Sequence, residues 1–64
     1  MSRKEDLLTR IKLRAYRKGF TFEEAKAVDP RARKLNTDTL LELYKAMNTC
    51  QGREETAKTL AAYC

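Results

Sequence analysis

The residues of this chain best suited to chemistry are arginines. Arg3, Arg10, Arg14 and Arg17 all precede Lys18. At about 100° per residue they share an arc of about 60° on one helix. A guanidinium offers a planar fork of N–H donors that pairs bidentately with phosphate or carboxylate. Four on one strip suit a polyanion or an acidic protein surface, and Lys18 adds a further cation at the end of the helix. Arg31, Arg33 and Lys34 form a second basic group directly after Pro30.

Other chemistry is poorly supplied. There is no histidine, which removes the usual base near neutral pH and the commonest metal ligand. Cys50 and Cys64, without histidine, match no zinc spacing. Ser2, the only serine, reads as a helix cap. Glu23 and Glu24 are adjacent, as are Glu54 and Glu55, so the carboxylates of each pair diverge on a helix, and the chain is too small to frame a cleft around them. No glycine-rich phosphate loop is present. No catalytic residue, metal site or cofactor is therefore assigned, and the expectation is a protein that is not an enzyme. Tyr16, Tyr44 and Tyr63 have rings on which bases could stack. Tyr44 falls in an apolar stripe and reads as core. Tyr16 lies off the apolar arc, and Tyr63 lies near a helix end.

Helices must position these groups. Leu and Ala number eight each, with single Ile and Val residues, two glycines and one proline. This composition favours helix over strand. Sixty-four residues make one domain, 1–64, with a thin core for which a net stability above about 3–5 kcal/mol would be unusual without a staple or an oligomer. The expected fold is all-α, a small bundle of three to four short helices over about 2–18, 22–28, 37–48 and 53–63.

Ser2 with Glu5, and Thr21 with Glu24, read as capping boxes. Gly19 fits the position just past the first helix. Leu7, Leu8, Ile11 and Ala15 supply that helix's buried arc. Leu13 lies on the far side of the arginine strip, exposed. The second helix is expected to stop near Val28, because a residue before proline is pushed out of the α region. Asp29 would then cap a fresh turn starting at Pro30, which makes residues 31–34 an exposed basic knuckle. Asn36 caps the third helix, whose stripe is Leu40, Leu43, Tyr44 and Met47, widened by Leu41. Ala57, Leu60, Ala61 and Cys64 share one weak arc on the last helix.

The net charge of +5 is uneven. Residues 1–19 hold seven basic and two acidic side chains, and residues 37–64 hold three and four. The surplus therefore belongs to the first helix, where it raises the local concentration of anionic partners. No apolar run approaches the ~20 residues of a membrane span. No signal peptide or lipidation motif is read, so the expected location is cytoplasmic. Cys50 and Cys64, separated by a helix, are expected to be free thiols.

Two segments resemble pieces of a lambda-repressor-type helix-turn-helix domain. Ile11 to Ala25 is similar to its first helix and the start of its second. Thr37 to Met47 is similar to its late helix. That family sets a turn and a recognition helix between such segments, roughly twenty further residues. Here only Lys26 to Asn36 intervene, with Pro30 where the turn would fall, so a recognition helix does not fit.

The functional expectation is a small regulatory protein that binds nucleic acid, mainly its backbone, through Arg3, Arg10, Arg14, Arg17, Lys18, Arg31, Arg33 and Lys34. The alternative is an adaptor or inhibitor, of the kind encoded by phages and plasmids, that docks an acidic protein surface with Leu13 and Tyr16 as anchors. A homodimer joined through Leu13, Tyr16 and the alanine-rich last helix is a third arrangement.

Overall fold

The computed structural model describes residues 2–64 and contains four helices: α1 (Arg3–Arg17), α2 (Phe22–Ala32), α3 (Thr37–Asn48) and α4 (Arg53–Tyr63). The protein is all-α. Local chemistry sets most helix ends. Ser2 Oγ accepts the Glu5 N–H at 3.1 Å, and Asn36 Oδ1 accepts that of Thr39 at 2.8 Å. Thr21 and Glu24 form a reciprocal capping box. At the end of α1 the Phe20 N–H reaches Ala15 O and the Gly19 N–H reaches Tyr16 O, at 3.1 and 3.2 Å. This is a Schellman ending, and it needs a left-handed residue at Gly19, whose φ is 111°.

The core forms around α1, which packs against α2 on one flank and α3 on the other, while α4 packs on α3. Leu7, Leu8, Ile11 and Ala15 of α1 meet Ala25, Val28 and Ala32 of α2 and Leu40, Leu43 and Met47 of α3; Leu60 of α4 completes the cluster. Phe20 packs against its edge. Among the described residues no helix is long and apolar enough to cross a membrane.

Three local expectations need correction. First, α2 does not stop at Val28 but runs through Pro30 to Ala32. Proline lacks only its own N–H, so the one carbonyl deprived of a partner is that of Lys26, an exposed residue whose carbonyl water can serve. Full burial of Ala32 and the Arg33 N–H to Asp29 O bond at 2.8 Å hold the last turn helical. Second, α4 turns a different face inward. Thr56 and Leu60 are buried and Tyr63 is half-buried, whereas Ala57, Ala61 and Cys64 are exposed. Thr56 enters the core because its hydroxyl donates to Gly52 O at 2.7 Å, leaving no unsatisfied polar atom. Third, Tyr44 is half-buried rather than core, with its hydroxyl held at the surface by an arginine of α1. Both cysteines are free, Cys50 buried and Cys64 exposed.

Candidate functional site

The capped, amphipathic α1 fixes where its arginines point. Its apolar arc faces the core, so the arginine strip emerges along the seam with α3. Arg14 spans that seam. Its Nε donates to Asn48 Oδ1 at 2.9 Å, its Nη2 donates to Tyr44 Oη at 3.1 Å, and the guanidinium carbon lies 5.4 Å from the Tyr44 ring centre. Arg10 pairs with Asp6 at 3.0 Å, both about half exposed. The Arg10 guanidinium first, then Asn48 and the charge of Arg14, lower the pKa of the Tyr44 phenol. In return, Tyr44 first and Asp6 second raise the pKa of Arg10. Arg3 and Arg17 are exposed and make no side-chain bond among the described residues. The seam thus carries two tethered guanidinium groups flanked by two unengaged ones.

The remaining basic residues do not form one site with this strip. Lys18 Nζ donates to Cys50 O at 2.7 Å, where it closes the end of α3, so it is structural. The basic residues of the 31–34 group are all exposed, but they are not equally available. Ala32 is buried inside α2, and Arg33 is committed to Glu5 of α1 at 2.6 and 3.0 Å and to Asp29 at 3.1 Å. The Arg33 guanidinium lowers the pKa values of the Glu5 and Asp29 carboxyls, and their hydrogen bonds raise its own. Arg31 and Lys34 alone face solvent without a partner among the described residues.

The opposite flank of α1 is apolar. Leu13 and Tyr16 are 50% and 55% exposed, and with Thr9, Lys12, Phe22, Ala25 and Lys26 they line an open groove of about 550 Å³ between α1 and α2. Phe22, 64% exposed, is the residue that sequence reasoning missed. A signal for it was present in the helical period: Phe22 lies about 60–120° around α2 from Ala25, Val28 and Ala32, the residues that α2 buries. Lys26 Nζ lies 5.2 Å from the Phe22 ring centre, and Lys12 Nζ lies 3.4 Å from Asp29. The groove is therefore edged by cations.

The two sides of α1 differ in chemistry: the α3 side carries the arginines, and the α2 side offers apolar surface. Comparison of the chain with protein-family models, with characterised proteins and with solved structures finds no match.

Proposed function

We propose that the protein is a small regulatory protein that binds nucleic acid by its phosphate backbone, through the arginine strip of α1. The observation that supports this most is Arg14, held by Tyr44 and Asn48 between its neighbours Arg10 and Arg17. A guanidinium already fixed by its surroundings loses less conformational freedom when it meets a phosphate. Arg3 to Arg17 extend over about 21 Å of helix axis, long enough to follow several phosphates of one strand. On α1 the acids are Glu5 and Asp6 alone; Glu5 faces α2 and is bound by Arg33. Contacts of this kind set affinity and orientation and carry little sequence readout.

Titration of labelled duplex and single-stranded DNA at about 50 and 200 mM salt tests the reading. Four phosphate contacts on a duplex correspond to roughly a hundredfold loss of affinity across that range. Arg3→Glu with Arg17→Glu, which breaks no bond described above, should abolish binding while leaving the helical signal unchanged. Absence of binding at the lower salt refutes the reading.

A further inference from the structure

None of the residues lining the groove between α1 and α2 belongs to the arginine strip, yet among the described residues the groove holds the three exposed large apolar ones, Leu13, Tyr16 and Phe22. Clustered apolar exposure on a small monomeric surface marks an interaction site. Its shape restricts the occupant. The groove runs between two helices, and the described residues contain no strand whose edge a peptide could extend. Docking of a helix, with apolar residues at i, i+3, i+4 and i+7, is the mode that fits.

Its charge restricts the occupant further. Lys12 and Lys26 stand on the groove itself, and Arg17 is about 40° around α1 from Leu13. Of the nearby acids, Asp29 is already bound by Lys12 and Arg33 and Glu5 by Arg33, while Glu23 beside Phe22 is exposed. A second copy docked face to face would bring the cations Lys26 and Arg17 of one copy against those of the other, an unfavourable like-charge contact. A segment carrying carboxylates along both borders of its apolar stripe complements the groove. We infer that the α1/α2 groove docks an acidic amphipathic helix of a partner protein, with its apolar stripe on Leu13, Tyr16 and Phe22 and its carboxylates on Lys26 and Arg17. The protein then has a polyanion face and a protein face on the two flanks of one helix, with Arg17 on their shared border.

A labelled peptide of about 18 residues, five helical turns, tests this on the full chain. It carries Leu at the four anchor spacings and Glu on both borders. One control replaces every Glu with Lys, and another replaces every Leu with Ala. The Glu–Leu peptide should bind, the controls should bind roughly tenfold or more weakly, and amide shift changes should centre on Leu13, Tyr16 and Phe22. Phe22→Ser should weaken binding by a similar factor with the helical signal unchanged and DNA binding unaffected. Lys26→Glu with Arg17→Glu should turn the preference toward the Lys peptide, a readout that loss of folding cannot produce. Absence of peptide binding, equal binding of Glu and Lys peptides, or shift changes away from the groove overturns the inference. So does a concentration-dependent dimer that Phe22→Ser abolishes, which would make the groove a self-interface. Because Phe22 is outside the arginine strip, failure here is distinct from failure of DNA binding.

Discussion

Arg33 binds both carboxylate oxygens of Glu5, at 2.6 and 3.0 Å, across a sequence separation of 28. The fork ties the start of α1 to the end of α2. At the other end of α2, Arg53 binds both oxygens of Glu24 and stacks 4.9 Å from the Phe20 ring centre, tying the start of α2 to the start of α4. The two forks clasp α2 at both ends. They also divide the arginines: Arg33 and Arg53 face carboxylates across helix junctions, and those along the α1 seam do not.

The forks make stability depend on acid pH. Glu24 has its pKa lowered from 4.5 to about 2, by the hydrogen bonds of Arg53 first and the Thr21 backbone second; that of Glu5 is lowered by Arg33. A depressed folded-state pKa means that the unfolded chain takes up the proton first. The contribution is therefore complete above the ordinary carboxyl value and is lost as pH falls toward the folded value. The denaturation midpoint should drop between pH 4.5 and about 2. Glu24→Gln keeps an acceptor for the capping box but removes the charge. It should lower stability near neutrality, flatten the drop, and meet the parent curve at the acid end. Chemical denaturation across that range checks this.

Tyr44 should titrate apart from an ordinary phenol. With Arg10 and Arg14 beside its hydroxyl, its pKa lies below the usual value of 10.0. Ultraviolet absorbance should show one tyrosine ionising early. Tyr44→Phe should remove that component with the fold intact, and Arg10→Gln should shift it upward. If the early component survives Tyr44→Phe, the contact between the arginines and Tyr44 does not persist in solution.

Legibility in the sequence followed how local each cause was. The ends of α1 and α3 could be read because cap, stripe and charge gradient lie within a few residues of one another. Leu13 and Tyr16 could be placed outside the core from helical period alone. The end of α2 could not, because burial of Ala32 against other helices outweighs the local preference of the residue before Pro30. The inward face of α4 was misread because Thr56 counts as polar until its hydroxyl is seen bonded to Gly52 O. The commitment of Arg14 depends on α3 lying along one flank of α1, and that of Arg33 on α2 lying along the other. No spacing within a single helix encodes either.

The two glycines should respond differently to alanine. Both have positive φ, 111° at Gly19 and 124° at Gly52, so each substitution is strained by more than about 1 kcal/mol. At Gly19 the added Cβ would also stand 3.2 Å from Arg53 Cβ, whereas at Gly52 it meets nothing within 4 Å. Gly19→Ala should therefore lower the thermal midpoint further than Gly52→Ala, and it should also disturb the Arg53–Glu24 fork. Equal losses would mean that backbone strain alone matters and that the close approach of Gly19 to α4 carries no energy.

Pro30→Ala probes the feature of α2 that local rules miss. In the folded chain, alanine restores an N–H aimed at the Lys26 carbonyl and has the best helix propensity, against a proline penalty of about 3 kcal/mol in a helix interior. In the unfolded chain, proline's fixed φ is lost, which costs about 0.4–1 kcal/mol. Pro30 lies within three residues of the end of α2 and is exposed, so only part of the interior penalty applies. The balance still favours alanine, and Pro30→Ala should raise the thermal midpoint by several degrees. If α2 instead broke at Val28 with a new turn at Pro30, proline would occupy a favoured first-turn position and the same substitution would destabilise. The sign of the change therefore distinguishes a continuous α2 from a broken one.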